Sequence, residues 1–163
     1  MAKNKEEKTN VMRVLEQKKI AYTAHTYPHE EGVAVDGVTV AKSMGFDPAI
    51  VFKTLVARGA SKQYYVFDVP VAENLDLKKA AKAVGEKSIE MIHQKELLPL
   101  TGYVHGGCSP VGMKKLFPTV IDSSAENLAA MIVSAGKIGY QVELAPHDLA
   151  ALVRAKFADI IVE

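Results

Sequence analysis

The sequence predicts an α/β fold of the α+β type: a mixed, largely antiparallel sheet, or a partly closed barrel, with helices packed outside. Short apolar runs recur along the 163 residues, and most follow one another through turns that suit hairpins. Helical crossovers between these runs are fewer, which disfavours a doubly wound sheet. The chain has no repeat, low-complexity tract or linker, so we expect a single domain over residues 1–163.

Capping residues and alternation define the elements of the first half. Residues 1–8 are polar and expected to be disordered, and Thr9 or Asn10 can then cap a helix that runs to about Lys19. Aspartate, proline and glycine mark the later boundaries. In order, these signals predict a strand over 20–27, a loop over 28–37, a helix over 38–44, a helical turn from 47 and a hairpin of strands 51–57 and 63–71.

The second half begins with an amphipathic helix that Asn74 or Asp76 can cap and that ends before Gly85. Its apolar face is predicted to hold Leu77, Ala80, Ala81 and Val84, with lysines 78, 79 and 82 opposite. The remaining elements, in order, are a strand over 88–92, a helical turn over 93–98 before Pro99, strands over 119–122, 131–134 and 140–144, a helix over 146–157 and a closing strand over 160–162.

Charge and cysteine content exclude several classes of protein. The 20 basic and 19 acidic residues nearly cancel, which argues against a polybasic binder but is compatible with a local basic face for RNA. One cysteine allows neither an intramolecular disulfide nor a thiolate cluster. Because the sequence shows no signal peptide and no apolar run near ~20 residues, we expect a cytoplasmic protein without a membrane segment.

Neither a metal site nor a cofactor site is predicted. The sequence has no pair at zinc-ligand spacing among its five histidines, His25, His29, His93, His105 and His147. The adjacent carboxylates Glu30 and Glu31 suit a solvated loop better than an acid–base pair. Neither a G-x-G-x-x-G motif nor a P-loop occurs between a strand and a helix, so oxidoreductases and phosphotransferases are poor candidates.

The stretch 102–115 is the strongest candidate for a functional loop. It holds four of the chain's eleven glycines, which is more glycine than one tight turn requires. It also contains the pair Ser109-Pro110. A backbone of this kind can bend sharply and come close to a ligand. Its N–H groups can then hold an oxyanion, a carbonyl or a phosphate.

Lys53 interrupts the apolar strand that begins at residue 51. Alternation gives it apolar neighbours on whichever face it occupies. From pattern alone the favoured interpretation is an edge lysine whose stem packs while its ammonium reaches water. The functional interpretation places the ammonium in a pocket, where it can bind a phosphate or polarise a carbonyl.

Cys108, with His105 three residues before it, is the obvious nucleophile to consider. A thiolate needs a base or a positive environment, and nothing else in the sequence specifies one. The favoured interpretation is a small buried hydrophobe.

Two further segments have a structural and a functional interpretation. The loop 134–139 suits a glycine-containing hairpin turn, or a second wall of the pocket that offers a hydroxyl and backbone donors. The lysine-rich face of helix 76–84 suits solvent, or a phosphate backbone if the face lies beside the pocket.

Three segments in this order, 51–56, 101–112 and 134–137, resemble the YbaK/ProX family of trans-acting aminoacyl-tRNA editing domains. The segment 75–81 and the opening helix add to the match, which covers about residues 8–162. The resemblance is greatest to the Cys-tRNA(Pro) deacylase branch. It implies a YbaK/prolyl-tRNA-synthetase editing-domain fold, a cytoplasmic enzyme that hydrolyses mischarged aminoacyl-tRNA, tRNA as partner and prolyl-tRNA synthetase as a candidate partner.

The resemblance also implies where the site lies. The family lysine falls on Lys53, and the glycine-rich motif falls on Gly106, Gly107, Ser109, Pro110 and Gly112. We expect Lys53, Gly106 and Gly107 to be catalytic. We expect substrate to bind at Tyr27, Thr54, Tyr103, Ser109, Pro110, Ser134, Gly136 and Lys137.

Two positions depart from the family pattern. Cys108 stands where a larger aliphatic residue is common, which supports the buried hydrophobe. Ile138 stands where a basic residue is common, which removes one expected contact to RNA or substrate.

An aminoacyl ester is already activated, so an editing site has only to position the carbonyl, stabilise the oxyanion and admit a nucleophile. We expect the N–H groups of Gly106 and Gly107 to face the oxyanion, and Lys53 to hold the carbonyl or the terminal nucleotide. The resemblance implies that the substrate's own thiol attacks its ester. Two alternatives stay open: a non-catalytic module that binds an aminoacyl-nucleotide, and an accessory protein that docks on a synthetase.

Overall fold

The computed structural model describes residues 8–30 and 33–163, and the eight strands within these ranges form two sheets. The helices are α1 (Asn10–Gln17), α2 (Gly37–Ser43), α3 (Leu77–Val84), α4 (Gln94–Thr101) and α5 (Pro146–Val153). The strands are β1 (Thr23–Thr26), β2 (Phe52–Gly59), β3 (Tyr64–Pro70), β4 (Ile89–Met91), β5 (Thr119–Asp122), β6 (Met131–Ser134), β7 (Tyr140–Leu144) and β8 (Lys156–Ala158). The expectations for residues 1–7 and for Glu31 lie outside the described residues.

The smaller sheet has the strand order β1-β7-β6 and the larger sheet the order β4-β2-β3-β5-β8. Within the described chain, the pairings are antiparallel except for β3–β5 and β5–β8. A β-bridge between Val51 and Ile132 links the sheets. The predicted mixed, largely antiparallel arrangement with helices outside is confirmed, but the strands divide into two sheets instead of closing into a barrel.

The hairpin of β2 and β3 presents two different faces, because successive side chains of a strand alternate. On one face Ala57 and Phe67 contact α3 through an apolar cluster. On the other face Val56 and Val66 pack with Cys108 and Phe117. The glycine-rich loop therefore lies on the face of the large sheet that is opposite α3.

The largest apolar core lies between the sheets and two helices. Buried side chains of α1 and α5 pack there with β5, β6 and β7. The predicted start of α1 is confirmed, since the Thr9 hydroxyl accepts a hydrogen bond from the Met12 N–H at 3.3 Å. This cap satisfies one of the N–H groups that the first helical turn leaves free.

The predicted helix over 146–157 is too long. α5 ends at Val153, where Arg154 adopts a left-handed conformation with φ of 58°, and the chain then enters β8. β8 pairs in parallel with β5, so a strand occupies the end of the predicted helix. The predicted closing strand over 160–162 is reduced to an isolated bridge between Leu75 and Ile161.

Two local predictions around proline and leucine are also corrected. Pro99 lies inside α4, which continues to Thr101, instead of ending the helical turn before it. α4 is only two turns long, so the proline removes few helical hydrogen bonds. In α3, Leu77 is exposed and does not belong to the buried stripe, which Ala80 and Ala81 form.

The strands predicted over 119–122, 131–134 and 140–144 are confirmed at their predicted bounds. Asp76 is the cap of α3, where its carboxylate accepts from the N–H groups of Lys78 and Lys79. In the residues that the structure describes, no helix has the length and apolarity to cross a membrane.

Candidate active site

A cavity of about 360 Å³ lies where the start of β2 meets α2, the small sheet and the glycine-rich loop. Five of the residues predicted for the site line it: Tyr27, Lys53, Thr54, Gly106 and Ser134. The other six predicted residues do not belong to the described lining of the cavity: Gly107, Tyr103, Ser109, Pro110, Gly136 and Lys137. The structure thus brings five of the predicted site residues together at the cavity and places the other six behind or beside its wall.

Lys53 lies half-buried on the cavity wall, opposite Val69 of the hairpin. Burial lowers the pKa of its ammonium, and the carboxylates of Asp36 and Glu73 partly counteract this shift. Asp36 caps α2 through its side chain and lines the same cavity. The ammonium is therefore partly desolvated and close to acceptors, as in the functional interpretation of this lysine.

The two glycines that were expected to act together have different surroundings. Gly106 lines the cavity with φ of +90°, and a Cβ there would lie 2.7 Å from the Cβ of Ala34. Among the described residues its N–H donates to no backbone carbonyl. The N–H of Gly107 instead donates to the Val104 carbonyl at 2.9 Å. The turn itself uses the Gly107 N–H, so of the two predicted donors only the Gly106 N–H is left available for a ligand among the described residues.

Gly107 has a packing role. A Cβ at this position would lie 3.0 Å from the backbone nitrogen of Ile138. The glycine-rich loop and the loop 134–139 therefore touch backbone to backbone at this point.

Several predicted binding residues hold the glycine-rich loop in shape. The Tyr103 hydroxyl donates to the Val111 carbonyl at 2.5 Å, and burial raises the pKa of this phenol to about 12. Ser109 is fully buried and accepts from the Val111 N–H at 3.2 Å. The ring of Tyr103 also packs against Gly136, where a Cβ would lie 2.9 Å from Cε1. Pro110 is buried beside them.

The loop 134–139 forms a second wall of the cavity. Ser134 lines it and also accepts from the Gly136 N–H at 3.1 Å, which closes the turn. The Lys137 ammonium lies 5.4 Å from the ring centroid of Tyr140, another wall residue. This loop thus serves as both a hairpin turn and a wall.

Cys108 is buried among Val56, Val66 and Phe117, although one side of it reaches the cavity. Burial, with the nearby charge of Asp68, raises the pKa of its thiol to about 12. A thiol with this pKa is neutral at physiological pH and is a poor nucleophile. The structure supports the interpretation of Cys108 as a small hydrophobe.

A buried carboxyl group behind the wall was not predicted. Asp68 on β3 is fully buried and accepts a hydrogen bond from the Thr54 hydroxyl at 2.5 Å. Its second oxygen has no partner among the described residues, and burial raises its pKa to about 7. An aspartate within an otherwise apolar strand was the signal available in the sequence.

Gln141 is a second residue that sequence reasoning missed. It lines the cavity from β7 and is buried, and its Oε1 has no hydrogen-bond partner within the described chain. A buried amide oxygen without a partner is costly unless a ligand supplies a donor. Its position two residues after the loop 134–139 could have indicated it.

The polar groups on the wall can position an ester without a protein nucleophile. They include the Lys53 ammonium, the hydroxyls of Thr54 and Ser134, the Gln141 amide oxygen and a backbone N–H at Gly106 that donates to no backbone carbonyl among the described residues; Asp36 and His105 also line the cavity. Over residues 8–30 and 33–163, no cluster of three or more His, Cys, Asp or Glu side chains could hold a metal ion.

Comparisons with known proteins agree with this arrangement. A family model described as the aminoacyl-tRNA editing domain matches residues 32–152. A protein of Enterococcus faecalis (strain ATCC 700802 / V583), named "Putative Cys-tRNA(Pro)/Cys-tRNA(Cys) deacylase EbsC", is 46% identical over 161 residues, which is 98% of each chain.

Solved structures show the same fold. One described as a "putative trans-editing enzyme for prolyl tRNA synthetase" has a TM-score of 0.79 and 25% identity, over 94% of this chain and 95% of its own. The "hypothetical protein APE2540" has a TM-score of 0.82 at 19% identity, over 93% of this chain and 99% of its own, which supports the fold alone. The family match spans most of the chain and includes the residues that line the cavity, except Tyr27. This chain therefore belongs to the aminoacyl-tRNA editing domain family.

Proposed function

We propose that this protein hydrolyses mischarged aminoacyl-tRNA in trans and that its substrate is Cys-tRNA(Pro). The observation that carries the proposal is that the half-buried Lys53 and Gly106, whose N–H donates to no backbone carbonyl among the described residues, line the same cavity. The name of the E. faecalis relative supports the choice of cysteine, and the name of the structural neighbour supports trans editing.

The cavity provides electrostatic stabilisation where an ester reaction develops charge. The carbonyl oxygen becomes an oxyanion in the transition state, and the Gly106 N–H is the donor that would bind it. Lys53 would hold the carbonyl or the phosphate of the terminal nucleotide. Gln141 Oε1 would accept from the ammonium of the aminoacyl group, which gives this buried oxygen the partner it lacks.

The nucleophile is the thiol of the substrate. Its sulfur bonds to the carbonyl carbon of its own ester, and the bond from that carbon to the ribose oxygen breaks. The products are deacylated tRNA and a cysteine thiolactone, which water then opens. Because a substrate without a thiol cannot react in this way, selectivity exceeds the ~10–200-fold that a pocket achieves for one methylene.

The proposal also covers where the enzyme acts and which enzyme supplies its substrate. Charged tRNA is made in the cytoplasm, and prolyl-tRNA synthetase is the enzyme whose product would need correction. We therefore propose a cytoplasmic protein that receives tRNA released by, or held on, that synthetase.

A panel of Ala-, Cys-, Ser- and Pro-charged tRNA(Pro), incubated with the full chain, tests the proposal. We expect release of cysteine well above the rate without enzyme and little release of alanine, serine or proline. Release of alanine at the rate of cysteine would refute substrate-thiol assistance. Tight binding of Cys-tRNA(Pro) without release would instead identify a non-catalytic binding module, and activity only with added synthetase would identify an accessory protein.

A further inference from the structure

We propose that Asp68 acts as a positioning residue that accepts the substrate's thiol proton through the hydroxyl of Thr54. The inference rests on the proposed function, because it concerns the proton that must leave the attacking thiol. It assigns a base to a cavity in which His105 and Cys108 both line the wall but share no hydrogen bond with each other among the described residues.

The relay depends on a contact across the β2–β3 hairpin. Thr54 and Asp68 are register partners, and their side chains lie on the same face of the sheet. The Thr54 hydroxyl donates to Asp68 Oδ1 at 2.5 Å, a short distance for a hydrogen bond to a carboxylate. Asp68 itself does not line the cavity, so any role in the reaction must pass through a neighbour.

Thr54 is the neighbour that reaches the cavity. It is half-buried and lines the wall next to Lys53. Because its hydroxyl proton is directed to Asp68, its oxygen is left to accept a proton from a donor in the cavity. A threonine so oriented is an acceptor for a thiol, whereas a threonine without the carboxylate is free to rotate.

The surroundings of Asp68 determine its charge. Cys108 from the glycine-rich loop is neutral, with its pKa raised to about 12. Lys53 on β2 interacts with Asp36 and Glu73. On the other neighbouring strand, β5, the carboxylate oxygens of Asp122 accept from the N–H groups of Ser124 and Ile160.

No cation compensates the Asp68 carboxylate among the groups described here, and burial raises its pKa to about 7. A base with a pKa near the working pH is the most effective proton acceptor, because much of it is deprotonated and it is still basic enough to take a proton.

The step is balanced in atoms and electrons. The S–H proton of the substrate passes to Thr54 Oγ1 while the Thr54 hydroxyl proton passes to Asp68 Oδ1, and the electron pair stays on sulfur. Sulfur then bonds to the carbonyl carbon and the carbon–oxygen bond to the ribose breaks. The ribose oxygen takes a proton back along the same path, which restores the Asp68 carboxylate.

The test is the pH dependence of single-turnover deacylation of Cys-tRNA(Pro), corrected for the rate without enzyme. We expect Asp68→Asn and Thr54→Val, both close in shape to the native side chains, to lose on the order of 100-fold in rate at about pH 8. The loss should shrink towards about pH 5.5, where the carboxyl of the wild type is already protonated. Thr54→Ser, which keeps the hydroxyl, should retain most of the rate, and the double variant should be no slower than either single variant.

Asp122→Asn is the matched control, because Asp122 is also buried on the adjacent strand but its oxygens accept from Ser124 and Ile160, neither of which belongs to the described lining of the cavity. It should lower stability and leave the pH midpoint of the rate unchanged. Equal rates for wild type and Asp68→Asn across the pH range, or full activity of Thr54→Val, would refute the relay. No release by the wild type would instead refute the proposed function and is therefore a separate outcome.

Discussion

Asp68 and Asp122 are both buried aspartates on strands that pair in parallel, yet their carboxylate oxygens have different hydrogen-bond partners. Asp122 accepts from two backbone N–H groups, those of Ile160 at 3.0 Å and Ser124 at 3.1 Å. Asp68 accepts from one side-chain hydroxyl, and its second oxygen has no partner among the described residues. Each oxygen of the Asp122 carboxylate thus accepts from a backbone N–H, whereas the Asp68 carboxylate, behind the cavity, has one oxygen without a donor among the described residues.

The same difference separates the cavity wall from the layer behind it. On the wall, Gln141 Oε1 and the Gly106 N–H lack partners within the described chain. Behind the wall, the hydroxyls of Tyr103 and Ser109 and the N–H of Gly107 are all hydrogen-bonded. Unpaired polar groups cost stability, so their concentration at one cavity favours a ligand as their partner.

The largest expected effect is a change in the free energy of unfolding with pH, which should distinguish the two aspartates. Asp68 titrates at about 7 in the folded protein against 3.8 for an unperturbed carboxyl, so between these pH values only the unfolded chain releases the proton. The free energy of unfolding should therefore fall as pH rises through this window, by about 4 kcal/mol at most. Urea denaturation of wild type and Asp68→Asn at about pH 5 and pH 8 measures it, since asparagine cannot titrate.

Asp122→Asn again sharpens this comparison. If the pH slope belongs to Asp68, the difference in unfolding free energy between wild type and Asp68→Asn changes with pH, whereas Asp122→Asn measures the loss of hydrogen bonds from two backbone donors to a buried carboxylate. Parallel curves for wild type and Asp68→Asn would show that the Asp68 carboxyl is not held neutral in the folded protein.

The next effect concerns Lys53 on the wall. We expect Lys53→Ala to reduce kcat/KM for Cys-tRNA(Pro) by about 100-fold or more, because it removes the charge that faces the developing oxyanion or the phosphate. Stability should change little, since the half-buried ammonium gains no ion pair within 4.0 Å among the described residues. Deacylation kinetics and thermal unfolding of the same preparation check both statements, and unchanged turnover would remove Lys53 from the mechanism.

Much of the fold could be predicted from the sequence because its signals are local. Caps at Thr9 and Asp76 and alternation in three short strands predicted elements that the structure confirms. The errors have tertiary causes. The residues after Val153 become β8 only because the edge of β5 is available to them, and nothing local in the sequence indicates that edge.

The site was predictable only in part for a related reason. Lys53 and the glycine-rich loop stand out in the sequence, because a lysine in an apolar strand and clustered glycines are unusual locally. Which glycine N–H stays free depends on the Val104 carbonyl, and the partner of Asp68 depends on the register of a hairpin. Such pairings arise from the folded chain and leave no periodic pattern in the sequence.

A smaller effect is expected behind the wall. Tyr103→Phe removes the hydrogen bond to the Val111 carbonyl and should lower stability by about 1–2 kcal/mol. The rate of deacylation should stay near that of the wild type, because Tyr103 does not line the cavity among its described wall residues. Thermal unfolding and a turnover assay measure the two effects, and a large loss of rate without a loss of stability would place the phenol in contact with substrate.

The smallest effect is expected at Cys108, which lies at the boundary between the two regions. Its thiol reaches the cavity, but its pKa of about 12 keeps it protonated and its main contacts are apolar. Cys108→Ala should therefore retain the deacylation rate within about twofold and lose roughly 1 kcal/mol of stability from the vacated volume. Treatment of the wild type with a thiol-alkylating reagent should be slow for the same reason. An inactive Cys108→Ala variant that is folded would contradict substrate-thiol attack and make Cys108 the nucleophile.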